Sequence, residues 1–207
     1  MAIIPIEIVS DAICPWCFIG YRILEHAIAM YKKTYPGGSK DVFEITWKPY
    51  FIDQVEPVES VRINDRMARR MTPAQITAAQ TRLQRIGKSL GIAFKFGGYI
   101  GSSRLAHRVL YLAGRISSST QCRVSESLFK SQFELEKDVS ELDVVVAAAM
   151  EGGMDENVVR EFLTGDEGTE IEREAREIRD KGVKGGAGEM GELFEAIVAA
   201  KGLQVSE

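Results

Sequence analysis

The sequence lacks an apolar run long enough to cross a membrane, and its first residues lack the features of a secretion signal. A membrane-spanning helix needs about 20 consecutive apolar residues, and no stretch of the chain approaches that length. Residues 1–7 have no basic start, and Glu7 interrupts their apolar run early. We therefore expect a cytoplasmic protein without a membrane partner.

The sequence also lacks an excess of basic residues. Its 26 Lys and Arg residues are outnumbered by 30 Asp and Glu residues, which gives a net charge of −4. Binding to the phosphate backbone normally requires clustered positive charge, so we expect no nucleic-acid partner. Apolar residues make up 45% of the 207 residues. That share is enough for the core of one domain, or of one domain that carries a large insertion.

Cysteine and histidine are scarce, with three and two residues. A reducing cytosol disfavours structural disulfide bonds, and the C-x-x-C spacing of Cys14 and Cys17 indicates either redox chemistry or a metal site. A zinc site would need two further ligands, for which the candidates are Cys122, His26 and His107. These three do not form a second paired motif, so the sequence favours redox chemistry and predicts no metal. An inert pair of helical cysteines is the remaining alternative.

Two predicted strands and a helix surround the C-x-x-C segment. Residues 3–9 are almost continuously apolar, which is typical of a strand buried in a parallel sheet. Pro15 suits the first turn of a helix, where its missing N–H is not needed, and this helix is predicted to end at residues 36–38. Residues 43–47 alternate between apolar and polar, which indicates a second strand. A C-x-x-C segment at the helix entry of such a β-α-β unit is a thioredoxin-like signal.

The position of Cys14-Pro15-Trp16-Cys17 at a helix start gives a chemical reason for a redox role. A helix N-terminus presents unpaired N–H groups and a partial positive charge, so we expect the pKa of Cys14 to lie below the free value of about 8.5. Cys14 is predicted to attack a substrate disulfide, and Cys17 to resolve the mixed disulfide. Pro15 and Trp16 are expected to tune the redox potential, and Trp16 to contact substrate.

Residues 65–164 are predicted to form an all-helical insertion domain between the two parts of a thioredoxin-like domain, 1–64 and 165–207. Thr72, Pro73 and Gln75 form the sequence pattern of a capping box, and residues 91–103 are expected to form a loop. The apolar stripes of the first two long helices comprise Ile76, Ala79, Leu83, Ile86 and Leu90, and then Leu105, Val109, Leu112 and Ile116. Further helices are predicted at 123–136, 141–151, 155–163, 168–181 and 189–201.

Four segments carry a family resemblance: Ile8-Val9-Ser10-Asp11 through Cys14-Pro15-Trp16-Cys17-Phe18-Ile19-Gly20, Trp47-Lys48-Pro49-Tyr50, Ala106-His107-Arg108 and Lys181-Gly182-Val183. Together they resemble the DsbA family, in particular its FrnE-like branch, which is related to 2-hydroxychromene-2-carboxylate isomerases and kappa-class glutathione transferases. The resemblance implies a thioredoxin fold with a helical insertion and dithiol chemistry. The isomerase and kappa-class relatives usually carry serine where this chain has Cys14, so the presence of both cysteines favours redox chemistry over isomerisation.

The same resemblance implies that the helix with the Ala-His-Arg motif covers the active site. His107 would then lie near Cys14 and stabilise its thiolate. The alternative is a packed or surface histidine without that role. His26 is expected to be structural, and Cys122 to be a bystander rather than a second redox partner.

The sequence has no proline after Pro73, which departs from the pattern of the family it resembles. Those relatives place a cis-proline and then two strands after the helical insertion, whereas here only residues 183–188 separate Gly182 from the last predicted helix. Two strands of about five residues with their turn do not fit in that segment. We therefore expect an α/β protein with a thioredoxin-like β-α-β unit, an incomplete sheet and impaired activity. The open edge of the first strand would be available for a homodimer.

The leading functional prediction is a DsbA-like thiol–disulfide oxidoreductase or isomerase acting on protein or small-molecule disulfides. It needs no bound cofactor, with glutathione as a potential co-substrate. One alternative is a glutathione-dependent isomerase or transferase of a small aromatic substrate. The missing proline loop argues against it, because relatives hold the glutathione backbone there. Another is a non-catalytic interaction protein on the same scaffold.

Overall fold

The computed structural model of the protein describes residues 1–53, 59–165, 168–182 and 190–204. Strand β1 (Ile3–Ser10), helix α1 (Pro15–Thr34) and strand β2 (Val42–Pro49) form the predicted β-α-β unit. The two strands are parallel and pair along their whole length, from Ile3 opposite Val42 to Ser10 opposite Pro49. The parallel register requires a crossover connection, which α1 supplies. The prediction of a β-α-β unit with C-x-x-C at its helix entry is therefore confirmed.

The remaining elements are mostly helical. They comprise β3 (Val61–Arg62), α2 (Ile63–Ala68), α3 (Pro73–Ser89), β4 (Tyr99–Ile100), α4 (Arg104–Ile116), α5 (Ser118–Phe133), α6 (Leu142–Glu151), α7 (Glu156–Thr164), α8 (Thr169–Asp180) and α9 (Met190–Gln204). The capping box of α3 is present, with the Thr72 hydroxyl accepting from the Gln75 N–H and the Gln75 side chain bonded to the Thr72 backbone. The domain boundaries at residues 64/65 and 164/165 stay predictions.

The helical region also contains an antiparallel pair of short strands, β3 and β4, in which Val61 lies opposite Ile100. β3 precedes the predicted insertion at 65–164, and β4 lies within the segment 91–103 that was expected to form a loop. The prediction of a helical insertion is otherwise confirmed. Two-residue strands are too short to produce a detectable alternating pattern. Their pairing brings the chain on either side of α2 and α3 together.

An aromatic cluster joins α1 to the helical region. The Phe18 ring stacks on the Phe129 ring at 5.0 Å between centroids, and the Trp47 ring of β2 meets the Tyr21 ring at 4.9 Å. Phe94 and Phe133 complete the cluster, and Cys17 packs partly buried against it. Burial of such large apolar surfaces stabilises the folded state strongly. The cluster therefore fixes the first turn of α1, which carries the C-x-x-C segment.

The predicted stripe of α4 is confirmed at Val109 and wrong at Ile116. Its buried residues include Ala106, Val109, Leu110 and Ala113, whereas Ile116 is 59% exposed and Leu105 and Leu112 are only partly buried. The two alanines are fully buried, because α4 approaches α5 and α6 closely. Small residues permit such an approach, so Ala106 and Ala113 share the buried face with Val109 and Leu110.

Side chains of α5 form hydrogen bonds with the backbone N–H and carbonyl groups on the outer edge of β2. The Ser118 hydroxyl accepts from the Ile45 N–H at 3.1 Å and donates to the Ile45 carbonyl at 2.7 Å. The Gln121 amide does the same for Trp47, at 3.0 Å to its N–H and 3.3 Å to its carbonyl. An exposed strand edge is a site of unwanted pairing with other strands. Helix α5 covers the outer edge of β2 and so prevents such pairing there. Homodimerisation through the other edge of the sheet stays a prediction.

A buried ionic cluster ties α9 to the other end of α1. Asp41 accepts hydrogen bonds from Lys201 Nζ at 2.6 Å, from the Tyr31 hydroxyl at 2.9 Å and from the Ala2 N–H at 2.8 Å. Lys201 and the other donors lower the pKa of Asp41 to about 2. The carboxylate therefore stays ionised and links the N-terminus, α1 and α9.

Residues 183–189, where neither a proline loop nor a strand pair was expected, lie outside the described residues. In the described ranges the main sheet consists of β1 and β2. Gly182, which follows α8, adopts a left-handed backbone with φ of 73°, as expected of a residue just beyond a helix end. Among the helices of these ranges, none combines the length and the apolar character required to cross a bilayer.

Candidate redox site

Cys14 is the N-cap residue of α1. Its backbone is extended, with φ of −99° and ψ of 112°, and Pro15 takes the first helical position. The Cys14 N–H donates to the Asp11 carbonyl at 3.0 Å, which closes a turn between β1 and the helix. No side chain caps this helix end, and its first turn carries no acidic residue. The helix N–H groups therefore remain available to stabilise a thiolate.

The thiols of Cys14 and Cys17 are both half-buried and share a hydrogen bond. This bond, with the Asp11 backbone as a further partner, lowers the pKa of Cys17 to about 7 although burial opposes the shift. The same bond raises the pKa of Cys14, and burial and the Cys17 charge add to the rise. The two thiols titrate as a coupled pair, and the first proton leaves the pair with an apparent pKa of about 7. The prediction that the lowered pKa belongs to Cys14 stays a prediction.

A buried carboxylate holds the turn before Cys14. Asp11 accepts from the Ile13 N–H at 3.2 Å and from the Ile52 N–H at 2.8 Å, so it ties the chain after β1 to the chain after β2. Asp11 belongs to the first of the four segments that carry the family resemblance, but the sequence predicted no role for it. A carboxyl residue directly between an apolar strand and a helix start was the available signal. We regard Asp11 as a positioning residue.

His107 lies beside Asp11 rather than beside the cysteines. Its Nε2 is 3.1 Å from the Tyr50 carbonyl and 3.6 Å from Asp11 Oδ1, and its ring meets the Phe51 ring at 4.7 Å. The contact with a carbonyl requires the proton on Nε2. Neither thiol is among these contacts, and stabilisation of the Cys14 thiolate by His107 stays a prediction.

The neighbouring Arg108 has a structural role. Its guanidinium donates to the carbonyls of Phe162, Leu163 and Gly165 at 2.7 to 2.8 Å. These carbonyls belong to the last turn of α7, where intrahelical donors are missing. With Ala106 fully buried, the Ala-His-Arg motif therefore connects α4 to α7 on one side and to the β-α-β unit on the other.

Trp16 is exposed next to the two cysteines. Its side chain is 37% accessible, and the Arg82 guanidinium lies 5.0 Å from its ring centroid. A cation over an indole ring stabilises both groups. A groove of about 940 Å³ runs beside this helix end, and Ile13 and Pro15, the residues on either side of Cys14, both line it. A smaller cavity of about 290 Å³ adjoins His107, and the lining of neither space includes Cys14 or Cys17.

The alternative of a zinc site finds no support in the described ranges, where no three His, Cys, Asp or Glu side chains converge. Cys122 instead accepts from the Trp47 indole N–H at 3.4 Å, and burial raises the pKa of its thiol. His26 is exposed on α1. The three candidate ligands therefore serve different parts of the molecule.

Comparison with known proteins identifies solved structures, a relative and a family that are similar to this chain. The crystal structure of the probable DsbA oxidoreductase SCO1869 from Streptomyces coelicolor superposes with a TM-score of 0.80 at 22% identity, covering 96% of this chain and 90% of that one. A 2-hydroxychromene-2-carboxylate isomerase superposes with a TM-score of 0.61 at 13% identity, covering 97% and 96%. The uncharacterised protein YwbO of Bacillus subtilis strain 168 is 23% identical over 172 residues, covering 82% of this chain and 76% of that protein. The family model of the DSBA-like thioredoxin domain matches residues 5–185, and the chain belongs to that family.

Proposed function

We propose that the protein is a thiol–disulfide oxidoreductase with Cys14 and Cys17 as its redox pair. The observation that carries the proposal is the contact between two thiols at an uncapped helix N-terminus, which lowers the pKa of Cys17 to about 7. Reactive cysteines are distinguished from inert ones by such a lowered pKa together with partial exposure. Family membership supports oxidoreductase or isomerase chemistry of this kind.

In the first step the Cys14 sulfur attacks one sulfur of a substrate disulfide, and its proton passes along the shared hydrogen bond to the Cys17 thiolate. The substrate S–S bond breaks, and the departing sulfur leaves as a thiolate that takes a proton from solvent. A mixed disulfide between Cys14 and the substrate results. The N–H groups of Trp16 and Cys17, which stabilise a Cys14 thiolate in the helix turn, stabilise the same sulfur when it later becomes the leaving group.

In the second step Cys17 loses its proton to solvent and attacks the Cys14 sulfur. The bond between Cys14 and the substrate breaks, and the substrate leaves as its second thiol. The substrate has gained two electrons, and the pair has become a disulfide. Reduction of that disulfide by a thiol such as glutathione would complete the cycle, and the reverse sequence would oxidise a substrate dithiol. Asp11 keeps the turn before Cys14 in place throughout.

The proposal is tested with single cysteine variants of the full chain and a fluorescent peptide disulfide. Cys14→Ser should abolish exchange, and Cys17→Ser should accumulate a mixed disulfide visible by mass spectrometry without reductant. Cys122→Ser is the matched control, because that thiol is buried against the aromatic cluster, and it should retain exchange. Activity that survives Cys14→Ser would contradict the proposal.

The fold shared with 2-hydroxychromene-2-carboxylate isomerase keeps a glutathione-dependent isomerase of a small aromatic compound as a second candidate. Such a reaction causes no net change in thiol oxidation. It would therefore survive Cys17→Ser and would require glutathione. The presence of a second cysteine in contact with the first favours the redox proposal over this one.

A further inference from the structure

We infer that the groove beside Cys14 binds an acidic polypeptide segment next to the substrate disulfide, with Arg69 and Arg70 as its cationic contacts. The inference rests on the proposed function, because it names the class of substrate on which the redox pair acts. It depends on the position of the groove, on its apolar floor and on its unpaired charges.

The groove is placed to receive the chain on both sides of a reacting disulfide. Its lining includes Pro15 next to Cys14, and Glu59, Val61 and several residues of α2. Its volume of about 940 Å³ is at the upper end of the range for ligand sites. A disulfide that reaches Cys14 would therefore have several of its neighbouring residues inside the groove.

The floor of the groove is apolar. It is formed by side chains from four parts of the chain that are buried or half-buried: Ile13, Ile63, Met67, Leu83, Phe96 and Ile100. Such a surface favours apolar side chains of a bound segment. A purely ionic ligand would leave this floor in contact with water.

The rim of the groove has unbalanced positive charge. Arg66 is committed to Asp53 through two hydrogen bonds of 2.5 and 2.7 Å. Arg69 and Arg70 are exposed, and within the described ranges neither has an ion-pair partner. Among the described residues of the lining, Glu59 is the one carboxylate that Arg66 does not neutralise. Within that part of the groove, two free guanidinium groups therefore oppose one free carboxylate, in a chain whose net charge is −4.

Guanidinium groups pair with carboxylates through two parallel hydrogen bonds, and this geometry discriminates Asp and Glu from other side chains. A polypeptide can present carboxylates, apolar side chains and a disulfide on one chain, which matches the rim, the floor and the adjacent thiols together. These three features select an acidic protein segment over a neutral or basic one.

The test uses the pre-reduced full chain and two peptides, each with one internal disulfide, that are identical except that three Glu residues in one are three Lys residues in the other. The ratio of their single-turnover rate constants measures the preference. The wild type should prefer the acidic peptide, and salt should weaken that preference. Arg69→Ala/Arg70→Ala should lower the ratio by about 2- to 30-fold. Arg69→Glu/Arg70→Glu should favour the basic peptide.

The matched control is Lys33→Ala/Lys40→Ala, which removes two exposed cations near the other end of α1, about 27 Å from Pro15 for Lys33. This variant should keep the wild-type ratio. Equal rates for the two peptides in the wild type, with exchange intact, would overturn the inference and leave the proposed function standing. An arginine-dependent preference for oxidised glutathione over the acidic peptide would make the occupant a small disulfide, and would also overturn it.

A third probe separates the two proposals. If the protein does not exchange even with the neutral 2-hydroxyethyl disulfide, the proposed function fails. Binding of the acidic peptide with serine in place of its cysteines, measured by calorimetry, then decides the inference alone. Affinity that falls in Arg69→Ala/Arg70→Ala supports the groove assignment, and no detectable binding overturns it.

Discussion

The N-termini of α1 and α3 begin with similar segments and serve different purposes. Helix α1 starts with Cys14-Pro15-Trp16-Cys17 and α3 with Thr72-Pro73-Ala74-Gln75. Both have an extended N-cap residue and a proline in the first helical turn. In α3 the side chains of the first and fourth residues satisfy the helix N–H groups. In α1 two thiols occupy those positions, and no side chain caps the end.

This difference between the two helix ends fits the proposed redox role of the N-terminus of α1. A capped terminus uses its free N–H groups for stability, so it cannot offer them to a thiolate that appears only during reaction. The uncapped terminus of α1 gives up part of that stability. The aromatic cluster behind Cys17 and the Asp41 cluster at the opposite end of α1 hold the helix in place instead.

The largest expected effect is a loss of folding stability at the C-terminal end of α1, where the Asp41 cluster lies. Tyr31 is fully buried, stacks on Tyr35 and donates to Asp41. Tyr31→Ala should lower the free energy of unfolding by about 3 to 5 kcal/mol, as large-to-small changes of buried aromatic residues do, because it leaves a cavity and removes one donor. Urea denaturation measures this loss. The alkylation pH profile of folded Tyr31→Ala should remain that of the wild type, and a shifted profile would show that the two ends of α1 are coupled.

The second predicted effect concerns the pKa of the two thiols at the N-terminus of α1. The rate of alkylation of reduced protein should rise with pH around an apparent pKa of about 7, and in Cys14→Ala the pKa of Cys17 should rise, because the side-chain donor at position 14 is lost. A group with a folded pKa below its unfolded value stabilises the fold above the unfolded pKa, and this contribution is lost as pH falls through the folded pKa. The reduced wild type should therefore gain stability between pH 7 and 9. Stability that is flat over this range would contradict the assignment.

The smallest predicted effects are changes in stability on substitution of the two N-cap residues, Thr72 of α3 and Cys14 of α1. Thr72→Ala should cost about 1 kcal/mol, because it removes the capping box of α3. Cys14→Ser should gain up to about 1 kcal/mol at pH 5.5, where both thiols of the wild type are protonated, since serine can accept from a first-turn N–H. Chemical denaturation of both variants gives the values. A loss in Cys14→Ser as large as that in Thr72→Ala would mean that the thiol already caps α1.

Local rules were sufficient to predict the β-α-β unit, the helix start at Pro15 and the capping box at Thr72. Each of these depends on neighbouring residues and on helix or strand periodicity. The site itself depends on contacts between distant segments. Asp11 meets Ile52 and His107 only after both strands and α4 are in place, and no local pattern encodes that meeting.

Two further features have the same origin. The pKa values of Cys14 and Cys17 depend on a shared hydrogen bond between the two thiols and on the donors around it, which the helix position alone does not describe. The buried side of α4 was misjudged because close helix packing there selects Ala106 and Ala113. The size of an apolar side chain does not predict its burial where two helix backbones approach closely.

The Asp41 cluster has a consequence for biosynthesis. Lys201 lies 160 residues after Asp41 in the chain. At typical translation rates of about 5 to 20 residues per second, roughly 10 to 30 s separate the appearance of the carboxylate from that of its ammonium partner. The thiols, strands β1 and β2 and α1 are all complete before that interval ends. A nascent chain therefore carries a potentially reactive dithiol for many seconds before the ion pair that secures its helix can form.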